Sequence, residues 1–249
     1  MGLFGKLFEK KSSKEIAFSS IGTDMHSHLI PGIDDGSKDV EDSLRMIRKF
    51  KDYGYAKLIT TPHIMSDFYR NTPDIIHSGL DKVRAAMSET DDLKNMQVEA
   101  AAEYYLDADF NVHLKKKSLL TFGVNYVLVE VSYLNEPDGI ESVFFNIQMA
   151  GYKPVLAHPE RYPFWMMNID KFEEFVEKGV LLQLNINSLT KHYGPGAQKT
   201  AEKLIEKGLI SFIGSDCHKQ DHLHLMSHVK NNYHLERLLE SGTLLNSGV

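Results

Sequence analysis

Cysteine is nearly absent from this chain of 249 residues, which contains Cys217 alone. A single cysteine cannot close an intramolecular disulfide, so the fold is not a disulfide framework. A chain of this kind suits a reducing compartment, and we therefore expect a cytoplasmic location. We interpret Cys217 as a packing residue.

Long apolar runs are also missing. No segment approaches the roughly 20 apolar residues that a membrane-spanning helix needs. Residues 1–8 are too short and too charged to be a secretory signal. We interpret residues 1–20 as a flexible extension and residues 21–249 as one domain. Weak contact of residues 1–11 with the inner face of the membrane is an alternative, because Leu3, Phe4, Leu7 and Phe8 can share one side of a helical turn.

The chain also has no excess of basic residues. The net charge is -6, which argues against nucleic acid as the main partner. A phosphorylated substrate stays open, because bound metal ions can reverse the local field. Hydrophobic residues make up 42% and charged residues 25% of the chain, as in an ordinary soluble globular protein.

Short apolar segments alternate with helical patterns throughout the chain. Continuous apolar strands that alternate with helices are typical of a parallel sheet covered on both faces. Seven such units predict the α/β class and a closed or nearly closed barrel. The first predicted strand begins near Gly22. The other predicted strands span residues 56–61, 97–102, 126–129, 154–157, 180–184 and 210–213. The predicted helices lie at about 39–54, 72–87, 107–117, 141–151, 172–178, 199–207 and 223–239.

Histidine and acidic residues stand where these strands end. His26 and His28, separated by one residue, point to the same face of a strand and can bind one metal ion. In barrels of this type the strand ends meet at one mouth, so we expect the later residues to converge on this pair. The candidates are His26, His28, Asp35, His63, Glu103, Glu130, His158, Asp216 and His218.

Nine such groups are too many for one ion. They predict two or three ions with a bridging carboxylate such as Glu103. Imidazole and carboxylate ligands without thiolate indicate Mn, Fe or Zn. Taken singly, His63, Glu103 or Glu130 would be interpreted as a cap, core or loop residue, but that interpretation would have to hold at six strand ends independently. We interpret the remaining histidines as surface residues, with weak interest in His222 and His224. They are His77, His113, His192, His222, His224, His228 and His234.

Together these motifs resemble the polymerase-and-histidinol-phosphatase (PHP) superfamily over residues 22–235. The run His158-Pro159-Glu160-Arg161-Tyr162 and the loop Asp34-Asp35-Gly36 are similar to one branch of it, the bacterial protein-tyrosine phosphatases that accompany capsular and exopolysaccharide synthesis. The motifs are His26-x-His28 with Asp35, Thr61-Pro62-His63, Glu103, Glu130, Ala157-His158-Pro159-Glu160-Arg161 and Ser215-Asp216-x-His218.

The resemblance implies a distorted seven-stranded β/α barrel with three divalent ions, manganese first and iron or zinc as alternatives. It assigns Arg161 to the substrate phosphate. The expected nucleophile is a metal-bound hydroxide, because metal binding lowers the pKa of water to about 7. The family's second arginine is missing after Asp216, and Lys219, His222 or His224 could replace it. The implied ion sites are His26, His28, Glu103 and Asp216; Glu103, Glu130 and His158; and Asp35, His63 and His218.

The predicted function is thus a metal-dependent protein-tyrosine phosphatase. The resemblance implies that its partner is the phosphotyrosine-bearing tail of a tyrosine kinase that regulates capsule synthesis. A thiol-dependent phosphatase is excluded, because Leu223 occupies the position six residues after Cys217 where that chemistry needs arginine. Two alternatives remain: a small-molecule phosphoesterase of the histidinol-phosphatase type, and a non-catalytic module that binds phosphotyrosine.

Overall fold

The structure is a computed structural model that describes residue 12 and residues 14–249. Within these residues, short strands alternate with helices along the chain. The strands are β1 (Thr23–Asp24), β2 (Lys57–Thr60), β3 (His63–Ile64), β4 (Gln97–Ala100), β5 (Glu103–Tyr105), β6 (Tyr126–Glu130), β7 (Lys153–Ala157), β8 (Leu181–Asn185) and β9 (Ile210–Gly214). The helices are α1 (Val40–Asp52), α2 (Pro73–Ser88), α3 (Ala108–Lys116), α4 (Ile140–Met149), α5 (Ile169–Glu177), α6 (Gly194–Glu206), α7 (Gln220–Met226) and α8 (Tyr233–Glu240).

The strands form two parallel sheets, which confirms the α/β class. Their orders are β1-β2-β4 and β3-β5-β6-β7-β8-β9. The predicted strand 56–61 stops at Thr60 and resumes at His63, and the predicted strand 97–102 is interrupted after Ala100. Pro62 lies in the first gap and has no N–H for a ladder hydrogen bond. As a result, the two halves of each broken strand belong to different sheets.

The first and last strands approach each other beyond their regular ladders. Ser27 and Cys217 form an isolated parallel bridge. The backbone N–H of His28 donates to the Cys217 carbonyl at 2.9 Å, and the N–H of Asp216 donates to the His26 carbonyl at 2.8 Å. These contacts bring the His26–His28 segment beside the residues that follow β9.

Two helices begin where the sequence predicts, near residues 39 and 72. The Asp39 side chain accepts from the Asp42 N–H before α1, and the Thr72 side chain accepts from the Ile75 N–H before α2. Side-chain acceptors of this kind satisfy donors that the first helical turn leaves free. Both predicted starts are confirmed.

The prediction of one continuous helix over residues 223–239 is wrong. Helix α7 ends at Met226, a 3-10 turn follows, and α8 begins at Tyr233. The Asn232 side chain accepts from the N–H groups of His234 and Leu235, and so starts a new helix. Leu235 and Leu238 are buried, so the segment packs on the core.

Alternation along the strands divides the apolar residues between two clusters. Val127 and Val129 join the large core under the helices, whereas Leu128 between them joins a smaller group on the opposite face. We call this smaller group the inner cluster. Its buried members are Met25, Ile59, Ala101, Phe122, Tyr126, Leu128, Val155, Ala157 and Phe212.

Part of the predicted N-terminal extension is packed. Ile16 and Phe18 are buried in the large core. Residues 1–11 and 13, including the segment considered for membrane contact, lie outside the described residues. The division of the chain at residue 20 stays a prediction. Among the described residues, we find no helix that is both long and apolar enough to cross a bilayer.

Candidate metal centre

The predicted strand-end residues surround one cavity of about 610 Å³. Strand register explains part of this convergence, because His63 of β3 lies opposite Glu103 of β5. Buried His26 and His28 contact two of the lining carboxylates. The predicted residues on the cavity wall are Asp35, His63, Glu103, Glu130, His158, Asp216 and His218.

The most buried group is formed by His26, His28, Glu103 and Asp216. One donor atom from each lies within 4.8 Å of all the others. His26 Nε2 is 3.1 Å from Glu103 Oε2, and His28 Nε2 is 3.5 Å from Asp216 Oδ1. These are the residues that the family resemblance implies for the first ion.

A second group centres on Glu103 and Glu130. His158 Nε2 lies 3.1 Å from Glu103 Oε1 and 3.5 Å from Glu130 Oε1. His63 also offers a donor atom to this pair of carboxylates. Glu103 thus faces both the first and the second group, as a bridging ligand must.

A third group lies at the outer side of the cavity. His63 Nε2 is 3.6 Å and His218 Nε2 is 3.4 Å from the same oxygen of Asp35. His28 has a donor atom within reach of this group too. The structure therefore brings all nine predicted residues together, while their assignment to individual ions stays a prediction.

Four of these histidines make hydrogen bonds through Nδ1, and these bonds leave Nε2 facing a carboxylate of the proposed centre. Such bonds fix the ring orientation and direct the other nitrogen towards a metal. For His26, His28, His158 and His218 in turn, the partners of Nδ1 are Gln183, Asp34, Tyr133 and the Asp216 carbonyl, at 2.8, 2.8, 3.1 and 3.0 Å.

The electrostatics of the cluster favour a cation. Burial raises the pKa of Glu130 well above its usual range, and the charges of Glu103 and Asp216 raise it further. Burial together with Arg161 lowers the pKa of His158 to about 4. Crowded carboxylates beside imidazoles are a ligand set for a divalent ion.

One buried atom also lacks the partner that such an ion would supply. His63 Nδ1 lies 3.2 Å from Glu103 Oε2, but the angles are not those of a hydrogen bond. It makes no hydrogen bond to any residue that the structure describes. A buried nitrogen facing a carboxylate in this way costs free energy unless both share a ligand. The residues present therefore fit a metal centre.

Arg161 stands on the wall of the same cavity. Its Nη1 donates to Asp216 Oδ2 at 2.5 Å. The guanidinium carbon lies 4.2 Å from the ring centroid of Tyr193 and 5.3 Å from that of Tyr133. An arginine held by a carboxylate and two aromatic rings presents a fixed positive charge to an anionic ligand.

His222, interpreted from sequence as a surface residue, belongs to this site. It lines the cavity, and its Nδ1 accepts a hydrogen bond from the His218 N–H at 3.3 Å. Its position four residues after His218, in the first turn of α7, is a signal that sequence can carry. Lys219 also lines the cavity, whereas His224 lies against His228. Tyr133, Gln183 and Tyr193 had no comparable sequence signal.

Comparison with known proteins places this chain in a family. The family model described as "Capsular polysaccharide synthesis, CpsB/CapC" matches residues 22–231. Tyrosine-protein phosphatase YwqE of Bacillus subtilis is 31% identical over 196 residues, which cover 78% of this chain and 76% of the relative. Putative tyrosine-protein phosphatase CapC of Staphylococcus aureus is 27% identical over 78% of this chain and 76% of its own length.

Solved structures agree with this placement. A structure from the work on YwqE of Bacillus subtilis and CpsB of Streptococcus pneumoniae, described there as unique metal-dependent tyrosine phosphatases, matches with a TM-score of 0.75. It is 29% identical, and the match covers 88% of this chain and 87% of that one. An amidohydrolase from Mycoplasma synoviae shares the fold, with a TM-score of 0.52 at 15% identity over 95% of this chain and 87% of that one. The chain therefore belongs to the CpsB/CapC family of capsular polysaccharide synthesis.

Proposed function

We propose that this chain is a metal-dependent protein-tyrosine phosphatase of capsular or exopolysaccharide synthesis. The observation that carries the proposal is the convergence of nine histidine and carboxylate residues, seven of which line one cavity beside Arg161 while His26 and His28 lie buried against them. Relatives in the same family are named tyrosine-protein phosphatases, which supports the same activity here.

The proposed cofactor is a set of three divalent ions, manganese first and iron or zinc as alternatives. When bound, such ions would act as Lewis acids that neutralise phosphoryl oxygens and lower the pKa of water. The proposed ligands are His26, His28, Asp35, His63, Glu103, Glu130, His158, Asp216 and His218. Mixed imidazole and carboxylate donors support this choice of metals.

The protein's own residues would bind and orient the phosphate ester. Arg161 can donate to phosphoryl oxygens with planar geometry, and Asp216 and Tyr193 hold its guanidinium in place. Met65, Tyr69 and Leu134 add apolar surface to the cavity wall, which suits an aromatic ring. A phenol, with a pKa of about 10, also leaves more readily than an aliphatic alcohol. These features support phosphotyrosine as the substrate.

The wider setting is carried over from the family resemblance. We propose that the partner is the phosphotyrosine-bearing tail of a bacterial tyrosine kinase. The chain would bind this tail in the cytoplasm, near the membrane. We also propose that the two sheets act as one distorted seven-stranded barrel in the domain 21–249. The hydrogen bonds that join His26 and His28 to Asp216 and Cys217 support that closure.

A combined measurement tests the function. The metal content of purified protein would be determined, and hydrolysis of a phosphotyrosine peptide would be compared with that of a phosphoserine peptide and of histidinol phosphate. We expect bound divalent metal, selective hydrolysis of the phosphotyrosine peptide, and inactivation by a chelator that manganese reverses. Binding of the peptide without hydrolysis would instead indicate a non-catalytic module. Faster hydrolysis of histidinol phosphate would indicate the small-molecule alternative.

A further inference from the structure

Gln183 is a fully buried amide in the middle of strand β8. Its Nε2 donates to the carbonyl of Leu184 at 2.7 Å. This bond fixes which way the amide faces, because the amide oxygen must then lie on the opposite side. That oxygen, Oε1, faces His26 and His158, two of the proposed metal ligands.

Gln183 Oε1 accepts a hydrogen bond from the imidazole of His26. The distance to His26 Nδ1 is 2.8 Å. An amide oxygen carries no proton, so Nδ1 of His26 must be the protonated nitrogen. With the proton held on Nδ1, Nε2 would present its lone pair to an ion bound between it, Glu103 Oε2 at 3.1 Å and Asp216 Oδ1 at 3.4 Å. The amide thereby selects the tautomer that can bind an ion between these groups.

The same oxygen accepts from the backbone of a second proposed ligand. The N–H of His158 lies 3.3 Å from Gln183 Oε1. His158 has a φ of 34°, in the left-handed region that is unfavourable for a non-glycine residue. A hydrogen bond to its N–H helps to hold this conformation, from which the ring reaches Glu103 and Glu130.

Strand β9 leaves room for this arrangement. A Cβ atom at Gly214 would lie 2.7 Å from His26 Cβ and 3.0 Å from Gln183 Nε2. Both distances are too short for a side chain without movement of its neighbours. Gly214 therefore permits His26 and Gln183 to approach each other across the sheet.

We propose that Gln183 is a positioning residue that holds the ligands of two ions with a single oxygen atom. It fixes the tautomer of His26 at the first ion and the backbone of His158 at the second. The inference rests on the proposed function, because it requires a metal centre in this cavity. Its consequence is that the two ions lose affinity together when the amide oxygen is removed.

Manganese binding to the full chain tests this role without recourse to activity. Metal-free protein would be titrated with manganese, comparing Gln183→Met with Gln183→Glu. Loss of a bond that orients a ligand costs about 10–100-fold in metal affinity, and we expect this loss in Gln183→Met. Gln183→Glu keeps an acceptor oxygen and should restore most of the affinity. Affinity in Gln183→Met equal to that of the unaltered protein would overturn the role.

Asn246 provides a matched control for a structural effect. It is also a fully buried amide, with bonds to Ile213 N at 3.0 Å, Ile213 O at 2.7 Å and Thr23 O at 2.9 Å. Asn246→Leu should lower the unfolding temperature without changing the manganese affinity of the folded protein. If Asn246→Leu and Gln183→Met lose the same affinity, Gln183 acts only by stabilising the fold and the proposed positioning role is wrong.

Nitrogen NMR of the unaltered protein keeps the inference testable even where a variant fails to fold. With zinc as a diamagnetic probe, His26 should carry its proton on Nδ1 and bind metal through Nε2. The reverse tautomer would overturn the inference and leave the proposed function standing. If the unaltered protein binds neither manganese nor zinc, the proposed function itself fails and the inference falls with it.

Discussion

The inner cluster and the metal centre are built by the same strands but differ in chemistry. Leu128 belongs to the inner cluster, and two residues later, on the same face of β6, stands Glu130. Likewise Phe212 of the inner cluster is followed by Gly214 and then by Asp216. The apolar end can fill its space at no electrostatic cost, whereas the polar end collects groups that oppose one another.

This difference separates stability from activity along each strand. Apolar burial supplies most of the free energy of folding. Crowded carboxylates do the opposite, because burial and neighbouring charges already raise the pKa of Glu130. Sites that are strained in this way are commonly retained for function. Substitutions at the two ends should therefore have different consequences.

The largest effect is expected from Glu103→Ala. Glu103 Oε2 lies 3.1 Å from His26 Nε2 and 3.2 Å from His63 Nδ1, and its other oxygen lies 3.1 Å from His158 Nε2. Because two proposed ions share this carboxylate, we expect phosphotyrosine hydrolysis to fall by about a thousandfold or more. Steady-state kinetics and metal content would be measured, with circular dichroism to verify folding. A folded variant with substantial activity would contradict the proposed centre.

Phe212→Ala tests the other end of the strands. Phe212 is fully buried and packs edge-to-face on Phe122 and Tyr126, with centroids 5.6 and 5.2 Å away. We expect the free energy of unfolding to fall by about 3–5 kcal/mol, measured by urea denaturation. Turnover by the folded protein should stay near that of the unaltered chain. Phe145→Ala, at a residue that is 59% exposed, is the matched control and should change stability by less than about 0.5 kcal/mol.

Arg161→Ala should have an intermediate effect that is confined to the polar end. Its charge lies in the cavity beside Asp216 and the ring of Tyr193. We expect kcat/KM for a phosphotyrosine peptide to fall about a hundredfold while manganese binding is retained. Arg161→Lys keeps the charge but loses the planar donors, so it should recover little of the loss. If kcat/KM is unchanged in Arg161→Ala, Arg161 does not bind the substrate phosphate.

The ends of the strands were predictable because their signal is local. An apolar run followed by His or Glu within one or two residues needs no knowledge of the fold, as at Glu130 and His158. Parallel strands all run in the same direction, so their carboxyl ends meet at one edge of the sheet. The helix starts at Asp39 and Thr72 were predictable for the same reason, since a cap acts within its own turn.

The remaining features depend on contacts between distant segments. Gln183 lies in a strand whose pattern is apolar, and its partner His26 follows strand β1, far away in sequence. Tyr133 meets His158 only after the loops beyond β6 and β7 have folded together. The division into two sheets depends on which neighbours the strand segments before and after residues 61–62 and 101–102 pair with, and those neighbours are distant in sequence. Tertiary packing, which no local pattern encodes, decides each of these.

The smallest effect is expected from Cys217→Ala, although Cys217 lies between two proposed ligands. Burial raises the pKa of its thiol well above the usual range, and Sγ contacts Met46 Sδ at 3.7 Å and the Lys219 carbonyl at 3.5 Å. The thiol therefore belongs to the apolar packing, while the backbone of Cys217 holds His28. We expect a loss of stability of about 1 kcal/mol by urea denaturation, with little change in kcat and no inactivation of the unaltered protein by iodoacetamide. A large loss of kcat with manganese binding intact would mean that the thiol takes part in the chemistry, and the division between the apolar and polar ends would fail at this residue.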